Sequence, residues 1–100
     1  MAQRIIVYWR DIPAQVIVKQ GRMTEKRELP ERFIQAVDRA AMRSGARDTD
    51  AYLAEWRRGE PVMCGDDMAT EADAAMAEIE AAYDAARLDS LVKNGGREAG

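Results

Sequence analysis

The N-terminal third of the chain carries short runs of β-branched and aromatic residues, which fit pleated, half-buried strands better than helices. Two such runs, at residues 3–10 and 13–20, predict two strands. Pro13 indicates a turn or a bulge between them, because proline fixes its own φ and biases the preceding residue toward extended geometry. Gly21 can close a tight hairpin into a third, more polar strand over residues 22–28. The charges of that strand would protect an exposed sheet edge.

Beyond this region, apolar residues recur at helical spacing. A first helix is predicted from Pro30 to Ser44, since proline suits the first turn of a helix. A second, short helix, capped by Asp48 or Thr49, is predicted to stop at Gly59. The apolar stripe of this helix consists of Tyr52, Leu53 and Trp56.

The remaining part of the chain predicts one further strand and one long helix. Residues 60–64 allow a brief strand before a turn. A sequence like a capping box, starting at Thr70, then opens a helix that is predicted to run to about Asn94.

These elements follow the order β-β-(β)-α-α-(β)-α, which predicts an α+β domain. We expect a small antiparallel sheet of two to four strands covered on one face by three helices. The chain has 100 residues, which is room for one domain and not for two. Residues 1–96 are predicted to form this domain, and residues 97–100 a frayed C-terminal tail.

The composition excludes much of the usual catalytic and metal-binding chemistry. The chain has no histidine, one cysteine, two serines and three threonines. Without imidazole there is no Ser-His or Cys-His nucleophile pair and no histidine metal ligand. We therefore predict a protein that is not an enzyme and that has no catalytic residues, cofactor or metal.

An acidic group and the single cysteine lie close together in the sequence. Glu60, Asp66, Asp67 and Glu71 are the densest candidate for a hard cation, but the spacing of a calcium loop is absent. We interpret this group as a solvated turn that also caps the following helix. The neighbouring carboxylates oppose ionisation of Cys64, so we interpret this residue as a small buried hydrophobe and not as a reactive thiol.

Charge is unevenly distributed along the chain, whose formal net charge is −3. Residues 1–60 hold 12 Lys and Arg against 9 Asp and Glu, whereas residues 61–100 hold 3 against 9. The acidic last part disfavours nucleic-acid binding. The longest apolar run, residues 5–9, is too short for a membrane span or the core of a signal peptide, and one cysteine forms no internal disulfide. We expect a cytoplasmic protein, and the sequence leaves a homo-oligomer open.

Two aromatic and arginine clusters are candidate contact surfaces. They comprise Tyr8, Arg10 and Asp11 in one segment and Trp56, Arg57 and Arg58 in another. Tryptophan and arginine dominate interaction hot spots, and an arginine beside an aromatic face can stack a planar ligand. Trp9 and Trp56 also fit an alternative interpretation, which we prefer, as core residues beside arginines that keep their head groups in water.

Three segments carry a resemblance to a known family: residues 8–16 (YWRDIPAQV), residues 32–43 (RF and AVDRAAMR) and residues 50–58 (DAYLAEWRR). Over roughly residues 3–62 the chain resembles the small bacterial domain family labelled virulence factor. The resemblance implies a domain that occurs alone in proteobacterial proteins and as a module of larger conserved virulence factor C proteins. It also implies an association of stand-alone members with folate and corrinoid one-carbon metabolism. It brings no catalytic residues.

Two functions follow as hypotheses. The first is a non-enzymatic accessory or adaptor module that binds another cytoplasmic protein through the two clusters, in a setting that the resemblance links to one-carbon metabolism. The alternative is a small ligand-binding or catalytic subunit. In that subunit Arg10, Arg57 and Arg58 would hold an anionic metabolite, such as a folate glutamate or phosphate tail, through bidentate contacts.

Overall fold

A computed structural model describes residues 1–45 and 48–98 of the chain. Within these residues it contains five strands in one antiparallel sheet and four helices, so the prediction of an α+β domain is confirmed. The strands are β1 (Ala2–Trp9), β2 (Ile12–Gln20), β3 (Met23–Glu28), β4 (Trp56–Arg58) and β5 (Val62–Cys64). The helices are α1 (Glu31–Ser44), α2 (Thr49–Ala54), α3 (Met68–Ala82) and α4 (Ala85–Lys93).

Strand β1 pairs with three of the other strands, β2, β4 and β5. On one side it pairs with β2, which in turn pairs with β3. On its other side the C-terminal half of β1 pairs with β4 and the N-terminal half pairs with β5. Both strands that the sequence left open, at residues 22–28 and 60–64, are therefore present. No helix among the described residues is both long and apolar enough to cross a membrane.

The hairpin between β1 and β2 has a two-residue loop, Arg10-Asp11, which we call the hairpin tip. A β-bulge interrupts the pairing beside Tyr8, whose partner is Pro13, so the predicted irregularity at this proline is confirmed. Arg10 has a φ of 53°, in the left-handed region that residues other than glycine rarely adopt. Such a conformation persists only where the surrounding contacts hold it.

Helix α3 covers one face of the sheet. Side chains alternate between the two faces along each strand, so every second residue of β1 and β2 points toward this helix. The buried residues of this contact are Ala2, Val16 and Val18 from the sheet and Met68, Ala72 and Ala75 from the helix. The alanines of α3 have short side chains, which allows its backbone to lie close to the strands.

A second core cluster lies at the hairpin tip, where α1 and α4 pack against each other. Its centre is formed by Trp9, Ile12 and Phe33, and α4 contributes Leu88 and Leu91. The Trp9 side chain is 0% exposed, and its indole N–H donates a hydrogen bond to the carbonyl oxygen of Tyr52 at 2.9 Å. The interpretation of Trp9 as a core residue is therefore confirmed.

The second helix is shorter than predicted. It ends at Ala54, Leu53 is 57% exposed, and Trp56 lies on β4. The predicted single apolar stripe on this helix is therefore wrong, because Trp56 pairs with Trp9 in the sheet and leaves the helix before its last turn. The predicted cap is confirmed, since the Asp48 carboxylate accepts a hydrogen bond from the first turn.

The predicted long helix is wrong at its start and in its middle. It begins before Thr70, because Asp67 is the N-cap and accepts a hydrogen bond from the Thr70 N–H at 3.3 Å. It also breaks at Tyr83, which has a φ of −114° and a ψ of 75°. The Asp84 carboxylate then caps a new helix by accepting from the Arg87 N–H at 2.8 Å. Capping of the free amides allows a new helix to start there.

Candidate functional site

Part of the two predicted clusters meets beside the hairpin tip. The pairing of β4 with β1 places Arg57 opposite Tyr8, and the guanidinium carbon lies 4.6 Å from the centroid of the Tyr8 ring. Arg57 Nη2 donates to Asp11 Oδ1 at 3.3 Å, and Nε donates to the Arg10 carbonyl oxygen at 3.1 Å. We call Tyr8, Asp11 and Arg57 the tip corner. Its cation is already paired with a carboxylate of the same corner.

The Arg10 side chain binds inside the protein and is not a free surface group, being only 15% exposed. Its Nη1 donates to the Gly95 carbonyl oxygen at 2.7 Å, and Nη2 lies 3.4 Å from Glu55 Oε1. Its guanidinium carbon also lies 4.9 Å from the centroid of the Trp9 ring. These contacts hold the left-handed loop residue in place, so Arg10 positions the hairpin tip.

The C-terminal segment crosses the hairpin tip and is hydrogen-bonded to it. The Asp11 N–H donates to the Gly96 carbonyl oxygen at 2.8 Å, and the Glu98 N–H donates to Asp11 Oδ2 at 2.7 Å. Arg87 Nη2 donates to Glu98 Oε1 at 2.9 Å. We call residues 94–98 the C-terminal strap. Of the predicted frayed tail, residues 99 and 100 lie outside the described part of the chain.

A shallow polar depression of about 310 Å³ lies beside the tip corner. It is lined by Tyr8, Asp11, Arg57, Gly59, Glu60, Tyr83 and Glu98. Burial raises the pKa of the Tyr83 phenol, and the nearby Arg87 cation opposes this effect. Asp11, Arg57 and Glu98 are bonded to one another or to their neighbours, so most of the charge in this depression is already neutralised within the protein.

Trp56 and Arg58 lie on the opposite face of the sheet from Arg57, because successive residues of a strand point to opposite faces. On that face Trp56 borders an open groove of about 400 Å³ between the sheet and the start of α1, which we call the Trp56 groove. It is lined by Val7, Ala14, Gln15, Glu28, Leu29, Glu31, Ile34 and Trp56. The six predicted surface residues are thus divided between two faces and the protein interior.

The Trp56 ring is half-buried and is anchored by other aromatic rings. Its centroid lies 6.0 Å from that of Tyr52 at an interplanar angle of 80°, an edge-to-face arrangement. Tyr52 in turn lies 5.9 Å from the fully buried Trp9 ring. The interpretation of Trp56 as a core residue therefore holds for the side of the ring that packs against Tyr52, and the other side lines the groove.

The charged residues around the groove are arranged in order along one row of the sheet. Paired residues of neighbouring strands run from Glu28 through Gln15 and Val7 to Arg58. Glu31, in the first turn of α1, adds a second carboxylate at the Glu28 end. Glu28, Glu31 and Arg58 are exposed and form no ion pair with another described residue.

Cys64 and the acidic group make contacts that belong to the packing and capping of the fold. Cys64 is half-buried against the cluster under α3, and burial followed by the charge of Glu71 raises the pKa of its thiol. Asp67 is used as the N-cap of α3, and Asp66 accepts a hydrogen bond from Gln20 at 3.3 Å. Across residues 1–45 and 48–98, no three acidic or cysteine side chains converge on a point where a metal ion could bind.

Several residues that shape the site were not predicted from the sequence. Glu55 pairs with Arg10, the Gly95 carbonyl accepts from the same guanidinium, and Tyr83 borders the polar depression. These contacts join residues more than 40 positions apart, which no local pattern encodes. The available signal was the Gly95-Gly96 doublet, whose glycines permit close backbone approach as well as a helix stop.

The fold and the site define a small α+β domain with a self-paired hairpin tip and an open, partly apolar groove on the other face of the same sheet. The family model described as Virulence factor matches residues 7–92. The chain therefore belongs to the virulence factor family. This match confirms the resemblance and extends it beyond residue 62 to include α3 and most of α4. No curated protein and no solved structure matches the chain significantly.

Proposed function

We propose that this domain is a non-enzymatic adaptor that binds another protein of the bacterial cytoplasm through the Trp56 groove. The observation that supports this function best is the groove itself, which is open and lined mainly by apolar side chains. Its volume of about 400 Å³ falls within the range of about 300–1,000 Å³ typical of ligand sites, but its openness suits a side chain of a partner surface better than an enclosed metabolite.

The walls of the groove are suited to binding because they are already ordered. Trp56 is held by Tyr52, and Ile34 projects from α1 with 41% of its side chain exposed. A tryptophan fixed before binding loses little conformational freedom when a partner covers it, so more of the contact energy becomes affinity. Tryptophan is also among the residues that most often dominate binding energy at interfaces.

The alternative of an anionic-metabolite subunit receives less support from the arrangement of the arginines. Arg57 and Arg58 point to opposite faces of β4, and the Arg10 guanidinium is engaged by Glu55 and the Gly95 carbonyl. One anion cannot contact all three guanidinium groups. We keep the link to folate or corrinoid metabolism as the proposed setting of the partner protein.

A site-specific cross-linking experiment tests the adaptor function. A photoreactive phenylalanine analogue is placed at Ile34, on the rim of the groove, and in a matched chain at Ala74, an exposed position of α3. We expect a stoichiometric partner to be cross-linked in cells from position 34 and not from position 74. The purified partner should then bind the Trp56→Ala variant at least about tenfold more weakly than the natural chain, as expected for an interface hot spot.

Two results would contradict the adaptor function. The first is the absence of any partner that cross-links from position 34, or a partner whose affinity does not change with Trp56→Ala. The second is a rise in melting temperature with folates, nucleotides or cobalamins that is lost on charge reversal at Arg57. That result would favour the alternative, because a ligand that binds the native state stabilises it by mass action.

A further inference from the structure

We infer that the Trp56 groove takes an extended partner segment in which a basic, an apolar and an acidic side chain stand at positions i, i+2 and i+4. The inference rests on the proposed function, because it names the chemistry of the partner at that same groove. The basic side chain would lie at the Glu28 end, the apolar one against Trp56, and the acidic one beside Arg58.

The spacing follows from the register of the sheet. Glu28, Gln15, Val7 and Arg58 occupy paired positions on β3, β2, β1 and β4, so their side chains share one face. Neighbouring strands are about 4.8 Å apart, which places the two ends of this row about 14 Å apart. An extended segment advances about 3.3 Å per residue, so its positions i and i+4 span about 13 Å with side chains on the same side.

The charges at the two ends of the row determine which side chains fit. Glu28 and Glu31 line one end of the groove with two exposed carboxylates. Arg58 does not line the groove, but it is exposed and pairs with the lining residue Val7, so it lies in the same row just beyond the other end. Lys26 lies in the adjacent row and does not line the groove. A lysine or arginine of the partner therefore meets opposite charge at the first end, and a carboxylate meets opposite charge at the second.

The middle of the groove is apolar apart from Gln15, which lies next to Glu28 in the row. Val7 and Ala14 lie between the charged ends, and Trp56 and Ile34 line the sides. A leucine at position i+2 would remove these four side chains from water, whereas a serine there would not. The order basic, apolar, acidic therefore reproduces the order of surfaces along the row.

Fluorescence polarisation with labelled nonapeptides tests this inference. The probe is fluorescein-Gly-Ser-Lys-Ser-Leu-Ser-Glu-Ser-Gly, and the two comparison peptides replace its lysine by glutamate or its leucine by serine. We expect both comparison peptides to bind about tenfold more weakly than the probe, because the glutamate would be repelled by Glu28 and Glu31 and the serine would lose the apolar contact. The difference between lysine and glutamate should shrink at high salt, because exposed charges are screened.

Variants of the protein test which of its charged side chains bind the probe. Glu28→Gln combined with Glu31→Gln should weaken binding of the probe about fivefold, since two exposed ion pairs are lost. Glu78→Gln, which removes a carboxylate that is 75% exposed on α3, should leave binding unchanged. Arg58→Gln should weaken binding of the probe but not of a probe whose glutamate is replaced by glutamine.

The outcomes separate this inference from the adaptor function. Equal binding of the lysine and glutamate peptides, or no binding of the probe up to about 1 mM, would overturn the inference. A partner that cross-links from position 34 through an acidic segment would also overturn it while leaving the adaptor function intact. Binding of the probe with the expected order, but no partner in cells, would contradict the adaptor function alone.

Discussion

Replacing Gly96 with alanine tests whether the C-terminal strap is packed onto the tryptophan core. Gly96 has a φ of 92°, and a Cβ atom at this position would lie 2.9 Å from Trp9 Cζ3 and 3.2 Å from Cε3. The Trp9 ring is 0% exposed and donates a hydrogen bond to Tyr52, so it cannot move away without displacing its neighbours. The strap or the core must therefore shift.

The expected loss of stability in the Gly96→Ala variant has two parts that can be measured separately. An alanine in the left-handed region costs about 1 kcal/mol relative to glycine. Overlap with a packed aromatic ring adds about 1–3 kcal/mol, so Gly96→Ala should lower the free energy of unfolding by about 2–4 kcal/mol. Gly45 has a φ of 81°, and apart from its chain neighbours no atom of the described residues lies within 4 Å of its Cβ position, so Gly45→Ala should show only the cost of the left-handed backbone.

Urea unfolding followed by tryptophan fluorescence measures both variants. With a slope of about 1 kcal/mol per M, the midpoint should fall by about 1 M for Gly45→Ala and by about 2–4 M for Gly96→Ala. A Gly96→Ala midpoint equal to that of Gly45→Ala would refute the packing of the strap on Trp9. In the Trp9→Phe background, which lacks the contacting ring atoms, the cost of Gly96→Ala should approach that of Gly45→Ala.

Three further predictions concern single groups. Asp11→Ala removes the hydrogen-bond acceptors of the Glu98 amide and of Arg57. It should therefore lower the free energy of unfolding by about 1–2 kcal/mol and speed hydrogen exchange at the Glu98 amide. Unchanged exchange would contradict the binding of the C-terminal strap to the hairpin tip. Burial raises the pKa of the Cys64 thiol, so iodoacetamide should alkylate it more slowly than free cysteine, and faster once urea unfolds the chain. Burial also raises the pKa of the Tyr52 and Tyr83 phenols, which then hold their protons more tightly in the folded chain than in the unfolded one. The stability linked to these phenols should be complete below pH 10.0 and should decrease as pH rises through the folded-state values, so a urea midpoint that increased over this range would contradict the assignment.

The strands were predictable because their residues carry a local signal. Two β-branched runs joined near Pro13 indicate a hairpin, and Gly21 indicates the next turn. The helix boundaries were less predictable where tertiary pairing competes with local preference. Trp56 fits the last turn of a helix, but pairing with Trp9 draws it into the sheet. The break before Asp84 was not predictable, because in the sequence Asp84 looks like any other exposed aspartate. Only its hydrogen bond from the Arg87 N–H shows that it caps a new helix.

The contact surface was only partly predictable, because adjacency in the sequence does not show which residues share a face of a sheet. Trp56, Arg57 and Arg58 are consecutive, yet the middle residue points away from the other two. On the helix that the pattern predicted, these three side chains would have pointed in different directions around one helix axis. Once they lie on a strand, each residue belongs with its partners on neighbouring strands, and those partners are unknown before the register is known.

This division between faces would allow one short strand both to stabilise the hairpin tip and to take part in the proposed binding of a partner. Arg57 pairs with Asp11 beside the hairpin tip, where it helps to hold the left-handed Arg10 loop and the strap that covers Trp9. On the opposite face Trp56 borders the groove and Arg58 lies next to the lining residue Val7, and the groove contains carboxylates without ion-pair partners among the described residues. A partner segment could therefore bind that face without breaking any contact that stabilises the tip. Loss of binding with intact stability is accordingly the expected behaviour of substitutions at the groove carboxylates, and loss of stability that of substitutions at Asp11.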